Sequence, residues 1–300
     1  MACIGFVGLG HMGLPMAINL IKAGHQVTGF DIQSNALETL NAAGGLIASS
    51  LSEVATTQEV IITMLQTGQQ VQQVCLASDG LFAKASPHSL YIDCSSIDVT
   101  SAREIHQHAM TKQLFALDAP VSGGVVGATA ATLTFMAGGE QTAFIKAKPI
   151  FNAMGKKIIH TGAAGSGQAA KICNNMILAV SMIAVSEAFV LAERLGLTAQ
   201  KLFEVVSSSS GQCWAMNQYA PVPDILPDVP ANNHYQPGFA AAMMLKDLNL
   251  SQSAANTVGI ETPMGAQATA LYQQFNEAGL GHLDFSAIIK LIAQDTVIND

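Results

Sequence analysis

The chain has 300 residues, of which 50% are hydrophobic and 11% are charged, and its formal net charge is -8. This length allows two packed domains. The low share of charged residues indicates large buried cores and apolar surface that is covered by further subunits, so we expect a homodimer or homotetramer. The 13 Lys and Arg residues form no basic cluster, which argues against nucleic acid as a partner.

Cysteine and histidine spacing argues against disulfides and metals. Five cysteines include no CxxC pair, and eight histidines show neither HxxxH nor HExxH spacing, so we expect a reducing compartment and no metal site. The N-terminus runs directly into an apolar strand without a targeting pattern. The longest apolar run lies between Asn175 and Glu187, short of the roughly 20 residues that span a bilayer. These features predict a cytoplasmic protein with no membrane partner.

Short β-rich runs alternate with helical stretches in the first half of the chain. We predict strands near Ile4 and Val27 and at 60–64, 91–94, 116–119, 133–137 and 158–161, an alternation typical of a parallel sheet with crossover helices. From Gln168 the periodicity is helical, with a pattern reaching Leu195 and further helices near Ala199 and at 239–258, 264–278 and 285–293. Five prolines make 221–237 an ordered loop. The predicted fold class is α/β, with an N-terminal Rossmann-type dinucleotide-binding domain, 1–163, and an all-helical substrate and oligomerisation domain, 164–300.

A glycine-rich turn follows the first strand. Its sequence is GLGHMG, which places Gly8, Gly10 and Gly13 in GxGxxG order at the start of a helix. Gly8 would make the tight turn, Gly10 would let a pyrophosphate approach the backbone, and Gly13 would let helix and strand pack closely. His11 and Met12 lie in the same turn. The segment predicts a dinucleotide site.

An acidic residue ends the second strand at the position expected for such a site. Asp31 lies eighteen positions after Gly13, where a carboxylate accepts the ribose hydroxyls of NAD. The same carboxylate would repel the additional phosphate of NADP, and no Arg follows in IQSNA to neutralise it. NAD is therefore the predicted cofactor. The alternative is that Asp31 only caps the helix that starts at Asn35.

Two further strand ends should border the cofactor crevice. Met64 and Leu65 end one predicted strand, and Ser95 and Ser96 follow another. Ligands of open α/β sheets bind beyond the carboxyl ends of the strands. We expect these residues to line the cofactor, at least by shape.

A glycine-containing segment, DAPVSGG, follows the strand at 116–119. Its last three residues, Ser122, Gly123 and Gly124, expose consecutive backbone N–H groups with no bulky side chain, which suits a carboxylate. Taken alone, the segment is better explained as an ordinary glycine turn.

A second segment, GSGQAAKICNN, opens the long helix. Lys171 and Asn175 are four residues apart and share one helix face. Burial disfavours an ammonium group and so lowers a lysine pKa towards the range useful for proton transfer, which makes Lys171 a candidate general acid/base. The alternative is that Lys171 extends to the surface near the helix start. Lys246 and Asp247, in LKDLNL, would by themselves be read as an exposed charge pair.

These segments together resemble a known family. FVGLGHMGLPMAINL, DAPVSGG, GSGQAAKICNN and MLKDLNL occur in the order and spacing of the β-hydroxyacid dehydrogenases over nearly the whole chain. SSSSGQCWAMNQY, the proline-rich loop and VPANNHYQPGF are most similar to the 3-hydroxyisobutyrate dehydrogenase branch. One departure is visible, because the segment GATAATL has Ala131 where the family usually has glycine. We expect a slightly altered turn and retained activity.

The resemblance implies a role for each matching residue. Lys171 would be the catalytic residue and Lys246 a contact to the cofactor. The substrate-binding residues implied are Ser122, Gly123, Gly124, Asn175, Trp214, Phe239 and Asp247.

The expected reaction is NAD-dependent oxidation of 3-hydroxyisobutyrate to methylmalonate semialdehyde, a step of valine degradation. One alternative is another branch of the family that reduces tartronate, succinic or glyoxylic semialdehyde. A second alternative, from a different class, is a non-catalytic NAD-binding module.

Overall fold

The chain forms two compact units in a computed structural model that describes residues 1–293. The units are Met1–Lys171 and Ile172–Asp300. The sequence-based boundary at 163/164 lies just before the long helix, and the division between the units lies a few residues inside that helix. Residues 294–300 of the predicted second domain lie outside the described residues.

The first unit is built on one sheet. Within residues 1–293 the sheet has nine strands in the order β3-β2-β1-β4-β5-β6-β8-β7, and β9 pairs with β8. The strands are β1 Cys3–Val7, β2 Gln26–Phe30, β3 Leu46–Ile47, β4 Val60–Thr63, β5 Leu90–Asp93, β6 Phe115–Asp118, β7 Val121–Ser122, β8 Leu133–Gly139 and β9 Gly155–Gly162. The seven predicted strands are all present, and the two-residue strands β3 and β7 were not predicted.

The pairing is parallel from β3 to β6 and between β8 and β9, whereas β8 runs antiparallel to β6 and β7. The prediction of a parallel sheet was therefore incomplete. The ten residues between Ser122 and Leu133 hold only one short helix, and parallel neighbours need a crossover of a dozen or more residues. The chain therefore returns antiparallel at this point.

Helices cover the sheet of the first unit. They are α1 Gly13–Lys22, α2 Ser34–Ala42, α3 Leu51–Ala55, α4 Gly68–Leu76, α5 Leu81–Lys84, α6 Val99–Thr111, α7 Gly124–Thr129 and α8 Gln141–Met154. Successive strand side chains point to opposite faces. Ile62 and Ile92 accordingly belong to one apolar cluster, while Ile61 and Tyr91 belong to another. The sheet is thus buried on both faces, as a doubly wound parallel sheet requires.

The second unit is helical. Helix α9, Ser166–Arg194, begins in the first unit and continues into the second, where it is followed by α10 Ala199–Val206, α11 Trp214–Tyr219, α12 Ala241–Val258, α13 Pro263–Glu277 and α14 Ile288–Ile292. Two 3₁₀ turns occur at Pro230–Asn233 and Phe285–Ala287. The helix predicted at 285–293 is therefore a 3₁₀ turn followed by α14, and α11 was not predicted. The fold class is confirmed.

The proline-rich segment 221–237 is an ordered loop, apart from its 3₁₀ turn. The Asn232 side chain accepts a hydrogen bond from Asp224 N (2.8 Å) and donates one to Leu226 O (2.8 Å). The Tyr235 hydroxyl donates to Pro221 O at 2.8 Å. The prolines prevent regular secondary structure in this segment, and these side chains supply hydrogen-bond partners for backbone groups of the loop.

Helix α9 is long and apolar enough to cross a membrane by length and composition alone. An 18-residue window within it has a mean hydropathy of 1.9, and 44% of that window is buried. The core helix of a soluble protein passes the same test. In this chain α9 carries the buried polar residues described below.

Candidate active site

The glycine-rich turn connects β1 to α1. Gly8 has a φ of +93°, and a Cβ there would collide with Met64 O. A Cβ on Gly13 would collide with Gly8 O, so helix and turn pack as closely as predicted. A Cβ on Gly10 would meet nothing within 4 Å. The open space beside Gly10 is what a pyrophosphate approaching the backbone requires, so the turn fits a dinucleotide.

Asp31 follows β2 and holds the same turn. Leu9 N donates to Asp31 Oδ2 at 2.6 Å, and Gln33 N donates to Asp31 Oδ1 at 2.8 Å. A carboxylate has about four acceptor sites, so two remain for ribose hydroxyls. Helix α2 starts at Ser34, and Asp31 binds the residue before it. The carboxylate therefore orders both the glycine turn and the approach to α2, and helix capping alone does not describe it.

The ends of β4 and β5 are tied together beside this turn. Leu65 N donates to Ser95 Oγ at 2.8 Å, and Met64 N donates to Val7 O at 2.9 Å. Met64 and Leu65 thus lie at the carboxyl edge of the sheet, as predicted. Ser95 makes the cross-strand bond, and Ser96 is the next residue of the same loop.

A buried carboxyl group lies under that loop. Asp93 Oδ1 accepts hydrogen bonds from Thr63 Oγ1 (2.8 Å) and Ser95 N (3.1 Å), whereas Oδ2 has no partner among the described residues. The Tyr91 hydroxyl lies 2.8 Å from Thr63 Oγ1. Burial raises the pKa of Asp93 to about 6, and these hydrogen bonds oppose the shift.

The glycines of DAPVSGG start α7 directly after β7. Gly123 has a φ of +135° and Gly124 a φ of +61°, so the backbone turns through conformations that suit glycine. A Cβ on Gly123 would meet Leu133 at 3.1 Å. Substrate binding by Ser122, Gly123 and Gly124 stays a prediction, since a turn of this kind also serves structure alone.

Asp118, the first residue of that motif, holds the start of α9. Gly165 N donates to Asp118 Oδ1 at 2.8 Å, and Gln168 N donates to Oδ2 at 2.9 Å. His106 Nε2 lies 3.2 Å from Oδ1. These carboxylate oxygens satisfy helix-start N–H groups that have no partner within the helix. Asp118 therefore fixes the helix turn from which Lys171 projects.

Lys171 is buried, with 8% of its surface exposed. Its Nζ donates to Val121 O at 2.8 Å, one residue before Ser122. The alternative in which this lysine extends to the surface does not match its burial. Lys171 and the backbone leading to Ser122 are thus in direct contact within the first unit.

Gln168 connects the start of α9 to the loop after β5. Its Nε2 donates to Ser95 O at 2.7 Å, and its Oε1 accepts from Ile97 N at 3.1 Å. The amide therefore binds the backbone on both sides of Ser96.

A polar cluster in the second unit joins α9 to α12. Asn175 Nδ2 donates to Asp247 Oδ2 at 2.6 Å, and Asn174 Nδ2 donates to Asn175 Oδ1 at 2.9 Å. Lys246 Nζ lies 3.7 Å from Asp247 Oδ1. Asn175 and Asp247 are both buried, whereas the Lys246 side chain is 27% exposed. The pair read as exposed from LKDLNL alone therefore has a buried carboxylate and a partly exposed lysine.

An aromatic group in the same unit contains both predicted aromatic site residues. Trp214, which is 52% exposed, stacks on Tyr219 with 4.9 Å between ring centroids, and Tyr219 stacks on Phe285 at 5.3 Å. Phe239 meets Phe285 edge-on at 5.8 Å. Trp214 and Phe239 are thus the two ends of a row of aromatic contacts that runs through Tyr219 and Phe285.

Buried Asp284 orders this aromatic group. It accepts hydrogen bonds from the Tyr219 hydroxyl, Gly238 N and Phe239 N, each at 3.0 Å. Burial raises its pKa, which its hydrogen bonds oppose. Among the described residues, no group of three or more His, Cys, Asp or Glu side chains is arranged to hold a metal ion.

Comparison with known proteins places the chain in a family. Residues 3–162 match the NAD binding domain of 6-phosphogluconate dehydrogenase, and residues 165–292 match a domain described as NAD-binding of NADP-dependent 3-hydroxyisobutyrate dehydrogenase. The 3-hydroxyisobutyrate dehydrogenase of Pseudomonas aeruginosa is 45% identical over 293 residues, which cover 97% of this chain and 98% of that protein. The chain belongs to the 3-hydroxyisobutyrate dehydrogenase family of β-hydroxyacid dehydrogenases.

Two further relatives of the family bear on substrate. The NAD-dependent L-serine dehydrogenase of Pseudomonas aeruginosa is 46% identical over 288 residues, which cover 96% of this chain and 97% of that protein. A solved structure of the Mycobacterium tuberculosis 3-hydroxyisobutyrate dehydrogenase with L-serine matches with a TM-score of 0.93 and 49% identity, covering 97% of this chain and 99% of that one.

Family membership makes the chain an NAD-dependent dehydrogenase that acts on the hydroxyl group of a hydroxy acid. The predicted family, enzyme class and cofactor are therefore confirmed. Four residues that contact the predicted site segments were not predicted from the sequence, namely Asp93, Gln168, Tyr219 and Asp284. Each is a polar residue within or beside an apolar run, and that pattern is the signal that could have marked them.

Proposed function

We propose that the chain oxidises 3-hydroxyisobutyrate to methylmalonate semialdehyde with NAD, as in valine degradation, and that Lys171 is its general acid/base. The observation that carries this proposal is the contact between the buried Lys171 Nζ and Val121 O, at 2.8 Å, directly before Ser122. A proton-transfer group and a carboxylate-binding turn are thereby adjacent.

In the proposed reaction, the N–H groups of Ser122, Gly123 and Gly124 bind the substrate carboxylate. The substrate hydroxyl lies against Lys171, which in its neutral form accepts the hydroxyl proton as the C–H hydride leaves. Bound NAD supplies the hydride acceptor. In the reverse direction, protonated Lys171 polarises the aldehyde carbonyl and returns the proton. The chain's own contribution is therefore positioning and proton transfer.

The second unit supplies the remaining proposed contacts. Asn175, held by Asp247, binds the substrate through the second N–H of its amide. Trp214 and Phe239 line the substrate, and Lys246 contacts the cofactor. On the cofactor side, the proposed contacts are Gly8, Gly10, His11, Met12, Gly13, Asp31, Met64, Leu65 and Ser96.

The test is NADH formation with 3-hydroxyisobutyrate, comparing the parent with Lys171→Ala. We expect kcat to fall roughly 10²-fold or more, the effect of a lost general base. Lys157→Ala is the matched control, because Lys157 is an exposed lysine on β9. If Lys171→Ala keeps a kcat close to that of the control, the proposed role of Lys171 is wrong. If NAD binds and no acid is oxidised, the chain is a non-catalytic NAD-binding module.

L-Serine is the second candidate substrate, since one relative is named for that activity and the solved structure of another is described with L-serine. L-Serine shares the carboxylate and 3-hydroxyl of 3-hydroxyisobutyrate and has an ammonium in place of the methyl group. A panel of both acids with NAD, and of tartronate, succinic and glyoxylic semialdehydes with NADH, decides among the family's substrates. We propose that 3-hydroxyisobutyrate has the highest kcat/KM, and a higher value for another compound would overturn that assignment.

We also propose a homodimer or homotetramer located in the cytoplasm. Exposed Ile177 and Leu191 lie on α9 and exposed Leu195 directly follows it, and apolar surface of this kind is typically covered in oligomers. All five cysteines are unpaired, as expected in a reducing compartment. Light scattering of the purified protein and fractionation of the source cells test these two proposals.

A further inference from the structure

We propose that Gln168 is a positioning residue that fixes the loop around Ser96 relative to the turn of α9 carrying Lys171. This inference rests on the proposed function, in which Ser96 borders the cofactor and Lys171 transfers the proton. Gln168 would act through these two residues, without touching substrate.

Both polar atoms of the Gln168 side-chain amide are hydrogen-bonded. The side chain is 0% exposed, its Nε2 donates to Ser95 O at 2.7 Å, and its Oε1 accepts from Ile97 N at 3.1 Å. The donor and the acceptor therefore bind the two residues that flank Ser96. A backbone segment held at both ends has little freedom to shift along the sheet edge.

The backbone of Gln168 is held as firmly as its side chain. Its N–H donates to Asp118 Oδ2 at 2.9 Å, which fixes the first turn of α9. Lys171 is three residues further on, so it projects near Gln168 on the helix surface. Lys171 itself binds Val121 O. The same helix turn therefore holds the segment after β5 through Gln168 and the segment around β7 through Lys171.

Only a side chain with one donor and one acceptor satisfies both backbone groups. A leucine of similar size would leave Ser95 O and Ile97 N without their partners. An ionised glutamate would satisfy Ile97 N and would direct a second acceptor oxygen at the acceptor Ser95 O. A protonated glutamic acid would restore the donor.

The experiment compares the parent with Gln168→Leu, Gln168→Glu and Lys171→Ala. The matched control is Gln58→Leu, because Gln58 is a buried glutamine of the first unit whose amide donates to Thr56 O. The readouts are the NADH dissociation constant from fluorescence titration, thermal unfolding, and kcat and KM for NAD and 3-hydroxyisobutyrate.

For Gln168→Leu we expect kcat to fall roughly 10- to 100-fold, since a displacement of about 1 Å between reacting groups costs up to 10²-fold. NADH binding should weaken several-fold, and the KM for the acid should change least. The idea is overturned if kcat and the NADH dissociation constant stay within about twofold of those of Gln58→Leu.

The pH profile of Gln168→Glu tests the lost donor directly, provided that thermal unfolding at each pH shows the variant to be folded. The ratio of kcat/KM for this variant to that of the parent should rise as pH falls from 9 to 6, because the protonated side chain regains a donor for Ser95 O. The other titratable or charged groups around this turn are Asp118 with His106 beside it, Asp93, Lys171 and Arg103. Both proteins have all of these groups, so the ratio reports the effect of the added carboxyl group. A ratio that does not change with pH contradicts the proposal. This test does not depend on Gln168→Leu, so it still applies if that variant does not fold.

Lys171→Ala separates this inference from the proposed function. It should lose turnover and keep the parent's NADH dissociation constant. If Lys171→Ala remains active, the proposed function fails, and the NADH titration of the Gln168 variants still measures whether the loop has moved.

Discussion

Replacement of Ala131 by glycine should stabilise the chain. Ala131 follows α7 with a φ of +54°, in the left-handed region that L-residues rarely adopt. Thr132 N donates to Gly127 O at 2.9 Å and closes the end of the helix in the pattern of a Schellman motif, whose left-handed position usually holds glycine. Ala131 is therefore the residue under strain.

The expected size follows from two opposing effects. Left-handed backbone costs an L-residue roughly 1 to 2 kcal/mol, which Ala131→Gly removes. Glycine increases the entropy of the unfolded chain, which lowers stability by about 0.4 to 1 kcal/mol. The free energy of unfolding should therefore rise by about 1 kcal/mol.

Urea denaturation measures this change, and Ala130→Gly is the control. Ala130 is the adjacent residue, with a φ of -81°, so its replacement by glycine has the entropic cost without the relief. The difference between the two variants should thus be about 1.5 kcal/mol, which is the strain itself. Equal stabilities, or a less stable Ala131→Gly, would refute the reasoning. Turnover should match the parent, because the turn ends α7 and the proposed substrate-binding glycines begin it.

Three other substitutions test buried or partly buried carboxylates. Asp31→Ser should raise the NADP to NAD ratio of kcat/KM at least about tenfold, because unit charges of like sign about 4 Å apart repel by roughly 4 kcal/mol near a protein surface; steady-state kinetics with both cofactors decide this. Asp118→Ala should lower the free energy of unfolding by about 4 kcal/mol, since two buried N–H groups lose their acceptor at about 1 to 3 kcal/mol each. Urea denaturation measures this change, and a smaller decrease for Asp118→Ala than for Asp118→Asn would contradict the prediction. The raised pKa of Asp93, about 6 against an ordinary 3.8, means that the folded chain binds this proton more tightly than the unfolded chain, so the stabilisation it brings is lost as pH rises through this interval. The unfolding free energy of Asp93→Asn relative to the parent should therefore increase by up to about 3 kcal/mol between pH 4 and pH 7.5, and a difference that does not vary with pH would show that the proton is not held this way.

The sequence was sufficient for elements defined by local pattern. The central strands β4 and β5 are continuous apolar runs because both of their faces are buried, and α9 was predicted within two residues at its start and one at its end. Strands β3 and β7 were missed because two residues carry no periodicity and their strand state depends on pairing with β2 and β8. The antiparallel direction of β8 was missed because it also depends on pairing, here with β6 and β7.

The site residues also differ in whether local sequence pattern could predict them. Gly8, Gly13 and Asp31 were predictable because the glycine turn and the acidic residue are related by spacing along the chain. Gln168 was not, because its partners lie more than 70 residues away and the sequence shows only one more polar residue on an apolar helix.

Asp118 shows why a motif alone leaves residue roles open. DAPVSGG was selected for the N–H groups of its last three residues, yet the structure gives its first residue a separate role, since the Asp118 carboxylate holds the backbone of α9. Lys171 completes the connection by returning from α9 to Val121 O in the middle of the same motif. Two motifs about fifty residues apart are thus joined by hydrogen bonds from donors in GSGQAAKICNN to acceptors in DAPVSGG. A change in either motif therefore moves the other, and variants of Asp118 should alter the function of Lys171 as well as stability.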